Sequence, residues 1–233
     1  MCGRFVAASS PADLAKYLHV DEIRTEALVP SWNIAPTDQV YAVAENRERR
    51  RLLGSYRWGL VPSWAKDPGV GARMINVRAE TIATKFRAAL ERRRCLVPAD
   101  GFYEWERRLA DGKVAKQPWF VRRADGAPLV FAGMWEVWWP DGADRDAEEP
   151  LRTCTIVTTA ANELLEPIHD RMPAILSPAD ADRWLDRDLR DPVELVGLLQ
   201  PFDPRALERF EVSTRVNSVK NNDGDLVRPV NSL

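Results

Sequence analysis

Four short stretches of this 233-residue chain bring reactive side chains together with turn-forming residues. The first is Met1-Cys2-Gly3-Arg4-Phe5. With Met1 removed, Cys2 becomes an N-terminal 1,2-aminothiol, and an α-amine of pKa about 7.7–8.0 is partly an uncharged nucleophile near neutral pH. The second, "MINVRAET", carries Asn76, Arg78 and Glu80. The third, "VPADGFYEW", sets Glu104 among aromatics just after a Pro-Ala-Asp-Gly turn, and the fourth, "EPIHDRMP", holds His169, Asp170 and Arg171. Each has an ordinary structural reading. Chain termini fray, Asn76 can cap a helix near Thr81, Glu80 suits a first helical turn, Glu104 can pair with an arginine, and His169 can be a loop histidine.

The elements around these stretches are mostly strands. "VYAVAE", "LLGSYRWGLVP", "PWFVRR", "PLVFAGMWEVWW" and "RTCTIVTT" are rich in β-branched and aromatic residues. "CLVPADGFYEWERR" reads as strand and turn, "RFEVSTRV" as a late strand and "NNDGD" as a turn. In "SSPADLAKYLHV", Ser10 caps a helix, Pro11 fits its first turn, and Leu14, Tyr17 and Leu18 form one apolar face. "TIATKFRAALERRR" reads as one helix, and "SPADADRWLD" and "DPVELVGLLQ" each start with a cap residue followed by proline. Strands that do not alternate regularly with helices favour an α+β fold on antiparallel sheet.

Composition is that of a globular protein, 45% hydrophobic and 29% charged. No apolar run spans a bilayer, and the start lacks a signal-peptide pattern, so no membrane and a cytoplasmic protein are expected. Three cysteines and no CxxC give no disulfide framework and imply a reducing compartment; with two histidines, no metal and no cofactor are expected. Net charge is −2, but residues 1–120 hold 20 Lys and Arg against 14 Asp and Glu, and residues 121–233 hold 13 against 21. That asymmetry permits a basic face. The "RERRR" run, Arg47 to Arg51, reads as a solvated loop. Most of the nine tryptophans belong in a core, with some free to stack on exposed bases.

Together, "MCGRF", "WGLVPSWAKD", "NVRAET", "VPADGFYEW", "FAGMWEVW", "TTAANELLEPIHDRMPAIL" and "VNSVKNND" resemble, in order and over nearly the whole chain, the SRAP family of SOS-response-associated peptidases or abasic-site-processing proteins. Val77 departs from the family's usual alanine, adding two methyl groups beside Asn76 and Arg78. The resemblance implies one domain over residues 1–233, of mainly antiparallel, twisted, barrel-like β-sheets with several short peripheral helices. It further implies that Cys2 joins a ring-opened abasic deoxyribose as a thiazolidine, with Asn76, Glu104 and His169 as the other catalytic residues. The expected partner is single-stranded DNA containing abasic sites, bound by a monomer that is nucleoid-associated on damaged DNA. Arg4 and Arg78 are the expected phosphate contacts, with Asn33, Trp64 and Trp105 as further DNA-binding candidates.

Two other readings belong to different classes. A cysteine hydrolase would use Cys2 as nucleophile, His169 as base and Glu104 or Asp170 as orienter, in its narrowest form acting only to remove Met1. A non-catalytic binding module would recruit repair factors and would not need Cys2.

Overall fold

The computed structural model describes residues 2–110 and 113–230. In chain order its strands and helices are β1 (Phe5–Ala7), α1 (Pro11–Tyr17), β2 (Glu22–Ile23), β3 (Ser31–Ile34), β4 (Gln39–Glu45), β5 (Arg51–Trp58), β6 (Asn76–Arg78), α2 (Ala79–Lys85), α3 (Arg87–Arg92), β7 (Arg94–Ala99), β8 (Gly101–Ala110), β9 (Lys113–Arg123), β10 (Leu129–Trp138), β11 (Leu151–Ala160), β12 (Arg171–Pro173), α4 (Pro178–Leu185), α5 (Pro192–Gly197) and β13 (Leu207–Glu211). The fold is the expected α+β arrangement of mainly antiparallel sheet.

Strands β11, β10, β7, β4 and β5 pair successively in antiparallel fashion. β5 then meets β11 again, in parallel, with Cys154 opposite Trp58, and a five-stranded barrel closes. The period-2 alternation of each strand divides its apolar residues between two cores. Ala42, Trp58, Cys95, Val97, Phe131, Cys154 and Ile156 cluster with Cys2 and Phe5. Their neighbours Val43, Leu53, Leu96, Ala132 and Val157 pack instead with Ile82, Leu90, Trp184 and Leu195 of the helices. The second sheet runs β13-β9-β8-β1-β3. Its β1 delivers Phe5 into the first core, edge-on to Trp58 at 5.0 Å and to Phe131 at 6.1 Å between ring centroids.

Local chemistry sets the helix starts. Ser10, Ser177 and Asp191 accept from the backbone N–H groups of Asp13, Asp180 and Val193, and each is followed by proline in the first turn. The single helix expected from Thr81 onward is two. It starts at Ala79 and breaks at Phe86, whose φ of −129° and ψ of 27° are not helical. The strand expected to run through "WGLVP" stops at Trp58, because Gly59 adopts φ +131°. A Cβ there would lie 2.5 Å from the Gly71 carbonyl oxygen, so only glycine lets the two segments meet.

The "PADG" turn is a corner. Asp100 is the one residue between β7 and β8, where the chain leaves the barrel for the second sheet. Its carboxylate accepts from the N–H groups of Ala8 at 2.6 Å and Ser9 at 3.0 Å, and from the Ser9 hydroxyl. It thereby clamps the chain just after β1. Gly101 pairs with Val6, and the ring of Phe120 fills the space where a side chain would stand. Gly101→Ala would set a methyl 2.7 Å from the Val121 carbonyl oxygen and against Phe120. We expect the substitution to destabilise the protein by about 1–3 kcal/mol, the usual cost of overpacking, measured by urea unfolding.

Candidate active site and nucleic-acid interface

Backbone pairing brings the four reactive stretches together. β1 lies antiparallel to β8 with Phe5 opposite Phe102 and Val6 opposite Gly101, and the Tyr103 N–H donates to the Arg4 carbonyl at 3.0 Å. Carried on by one residue, this register sets Gly3 opposite Glu104 and brings Cys2 alongside. The C-terminal half of β11 has β6 on one side, with Asn76 opposite Ile156 and Arg78 opposite Thr158. On its other side is β12, with Arg171 opposite Ala160. Thus Asn76 and His169 flank a common strand.

Cys2 is wholly buried, and the Asn76 amide donates to its carbonyl at 2.7 Å. The Asn76 Oδ1 is buried and has no hydrogen-bond partner among the described residues. Burial, reinforced by the negative charge of Glu104, holds the Cys2 thiol far above its ordinary pKa. Glu104 is 2% exposed, and burial pushes its carboxyl up to about 7. His169 Nδ1 accepts from the Arg171 N–H at 3.0 Å, which leaves the proton of the neutral ring on Nε2. Asp170 Oδ1 lies 2.9 Å from the same Nδ1 and can take a proton from it only when the ring is charged. Burial, with Arg107 and Arg171 nearby, holds the imidazolium below the usual histidine range, so the ring is neutral at pH 7. A carboxyl that titrates near neutrality, a neutral imidazole and an uncharged amide can together move protons without placing a fixed charge on Cys2.

The loop carrying His169 is held at both ends. Asn162 accepts from Leu165 N–H at 3.1 Å and donates to the Phe202 carbonyl at 2.8 Å. Arg171 forks onto Glu80, with Nη2 at 3.0 Å from Oε2, and donates to the Thr158 carbonyl at 2.6 Å. Glu80 is therefore the positioning partner of Arg171, not only a first-turn acid. Asn162 escaped the sequence reading, although it lies inside a quoted stretch; its signal was the turn chemistry of Ala-Asn before "ELLEP".

The DNA-binding candidates divide. Arg78 is exposed at the start of α2 and lines a cleft of about 410 Å³ with Asn76, Arg73 and Lys85. Trp64 is 82% exposed. Trp105 lines a second cleft, of about 420 Å³, with His169, and its Nε1 donates to Asn217 Oδ1 at 2.7 Å. Asn33 lies inside the fold. It is 4% exposed, and its Nδ2 faces the carbonyls of Val216, Ser218 and Asn221 at 3.3, 3.0 and 2.7 Å. Arg4 Nη1 donates to Asn33 Oδ1 at 2.8 Å and to the Val216 carbonyl at 3.1 Å, and its Nε is buried. Both residues tie β1 and β3 to the "VNSVKNND" segment, Asn33 from inside the fold and Arg4 while half-buried. Val77 is buried in the core with Leu60, Ile82 and Val157, and it also borders the cleft that Asn76 and Arg78 line.

Among the described residues no cluster of His, Cys, Asp and Glu is arranged to hold a metal ion, and no helix is long and apolar enough to cross a membrane. A family model described as SOS response associated peptidase (SRAP) matches residues 1–219. "Abasic site processing protein YoqW" of Bacillus subtilis is 43% identical over 231 residues, which cover 97% of this chain and 99% of that protein. The Escherichia coli protein named "Abasic site processing protein YedK" is 32% identical over 99% of this chain and 100% of its own. "Abasic site processing protein HMCES" of Xenopus tropicalis is 29% identical over 95% and 76%. A crystal structure of a Bacteroides thetaiotaomicron protein, 24% identical over 98% of this chain and 99% of its own, superposes with a TM-score of 0.83 and shares the fold. The chain belongs to the SRAP family.

Proposed function

We propose that this protein processes abasic sites in DNA by joining the damaged sugar to Cys2, once Met1 has been removed. The names of its relatives support the substrate class. The single observation that carries the chemistry is the seating of Cys2, its carbonyl on Asn76 and its thiol kept protonated beside a carboxyl that titrates near neutrality. An abasic deoxyribose opens to an aldehyde. The Cys2 α-amine adds to that carbon, and the carbinolamine loses one water to give an imine. The thiol sulfur then adds to the imine carbon while the thiol proton passes to nitrogen, closing a five-membered thiazolidine. One water leaves overall. A lysine forms the imine but cannot close the ring.

Glu104 gives a proton to the departing hydroxyl and recovers one from the amine or thiol, which suits a carboxyl with a pKa of about 7. His169, neutral and oriented through its Nδ1, polarises the sugar oxygen from Nε2. Asn76 Oδ1 accepts from the amine or the forming hydroxyl. Arg78, Arg73 and Lys85 hold phosphates, and Trp64 and Trp105 offer stacking faces for unpaired bases. Arg4 and Asn33 act by holding the segment that positions Trp105. The substrate is single-stranded, because a paired sugar cannot reach a buried residue without unstacking. A thiolate hydrolase would need the Cys2 pKa lowered. Burial and Glu104 raise it, which counts against that alternative.

Intact mass spectrometry with an abasic oligonucleotide tests the reading. We expect loss of Met1 and a covalent adduct one water lighter than the sum of protein and DNA. Acetylating the α-amine while keeping the thiol abolishes the adduct; an undiminished adduct after acetylation would refute the thiazolidine.

Glu104→Gln separates catalysis from binding. We expect crosslinking to slow by about 10²–10⁴-fold, the usual worth of a general acid–base group, with DNA affinity within about twofold of wild type. The same substitution stabilises the fold above neutrality. A carboxyl raised from 4.5 to about 7 holds its proton in the folded state, so its ionisation costs stability as pH rises through that window. The variant therefore gains up to about 3 kcal/mol above pH 7, at 1.36 kcal/mol per pKa unit, and nothing near pH 4, as read by denaturant melts at both pH values. For Arg78→Ala we expect weaker strand binding and a log K against log salt slope shallower by about 0.7, one phosphate contact on a single strand, measured by fluorescence anisotropy.

A further inference from the structure

At the opposite end of the barrel from Cys2 lies a cavity of about 680 Å³ that the reaction above does not use. Arg152, at the start of β11, lines it, whereas Thr158, between β6 and β12, belongs to the Cys2 end. The intervening extended strand measures about 20 Å. Phe5, Trp58 and Phe131 fill the barrel between the two ends.

The floor of this mouth is aromatic. Tyr56 and Trp135 meet edge to face with centroids 6.2 Å apart. Gly54 opens the space beside them, since a Cβ there would already lie 3.1 Å from the Tyr56 ring. The rim is basic, with six arginines against two glutamates. Arg24 and Arg93 are paired with Glu22 and Glu136, at 2.7 and 2.8 Å. Among the described residues Arg152 has only the exposed Glu149, at 4.0 Å. Arg47, Arg92 and Arg187 have no ion-pair partner among the described residues, and Arg187 is steered toward the rim by the carbonyls of Glu45 and Arg92 at 3.2 and 3.5 Å. Elsewhere the "RERRR" run is neutralised: Arg49 by Asp186 and Asp188, Arg50 by Glu22 and Arg51 by Asp182. Four guanidiniums thus converge on one mouth over an aromatic floor. Guanidiniums fork onto phosphate oxygens, rings stack on bases, and barrel mouths are frequent ligand sites.

We propose that this mouth of the barrel binds a nucleoside triphosphate, with the base against Tyr56 and Trp135 and the phosphate oxygens on Arg47, Arg92, Arg152 and Arg187. The charge matches, about four positive heads for a polyphosphate of nearly the same negative charge. The site stands apart from the abasic-site reading and does not depend on it. Isothermal titration of the full chain with ATP, inorganic tripolyphosphate, adenosine and an undamaged single-stranded oligonucleotide tests it. ATP is expected to bind at least about tenfold more tightly than tripolyphosphate or adenosine alone. The Arg92→Ala/Arg152→Ala double variant, both side chains being exposed, is expected to weaken ATP at least about tenfold while melting temperature and crosslinking to abasic strands stay at wild-type values. Trp135→Leu is expected to weaken ATP and leave tripolyphosphate unchanged. Equal affinity for tripolyphosphate and ATP would reduce the mouth to a charged patch. Displacement of ATP by the undamaged oligonucleotide would make it a strand groove, and unaltered ATP binding by the double variant would place the nucleotide elsewhere; any of these overturns the proposal.

Discussion

Everything at the candidate site depends on holding the first residues of the chain still. Termini ordinarily fray because they have few partners. Here β1 lies between β3 and β8, Asp100 clamps the residues that follow it, and the Asn76 amide seizes the carbonyl of Cys2 itself. Phe5 anchors the segment from inside, since it is wholly buried against Trp58 and Phe131. A reactive group at a chain end is thereby given the positional precision of a core residue. A group placed this way can be aligned with a reaction partner, and alignment removes much of the entropy barrier to a two-molecule reaction.

The same burial sets the electrostatics. A carboxylate in a dry pocket loses its water, and Glu104 responds by titrating near neutrality. The negative charge it does acquire works against a thiolate next to it, so Cys2 and Glu104 cannot both ionise easily. Proton transfer is favoured over charge separation. The neighbours conform to this logic: Asn76 adds no charge, and His169 is kept neutral by burial and by nearby arginines. Arg171 pairs with Glu80 in a structural fork that holds the end of the His169 loop.

Much of this was legible in the sequence, for identifiable reasons. Helices α1, α4 and α5 carried their own start signals in Ser-Pro and Asp-Pro, and these are local. Strands β4, β5, β10 and β11 announced themselves by β-branched and aromatic runs. The break at Phe86 was hidden, because no residue from Thr81 to Arg94 is a local helix breaker. Cys2, Asn76, Glu104 and His169 could be singled out by type, yet nothing local says that Gly3 faces Glu104; that follows from a strand pairing across nearly a hundred residues. The surroundings of Arg4 and Asn33 were illegible for the same reason, because the carbonyls they bond belong to residues 216–221.

The uneven charge of the two halves resolves in three dimensions. The basic first half does not make one basic face. Its arginines 49, 50 and 51 meet carboxylates from α4, from the turn after it and from Glu22, while Arg108 meets Glu211 on the second sheet. Asp182, Asp186, Asp188 and Glu211 of the acidic second half are drawn into these contacts. Cations without an ion pair among the described residues include Arg73, Arg78 and Lys85 around the cleft beside Asn76, and Arg47, Arg92 and Arg187 at the far barrel mouth. A protein of net charge −2 can therefore present concentrated positive potential to a phosphate at chosen points. Repulsion from the rest of its surface discourages indiscriminate coating of nucleic acid.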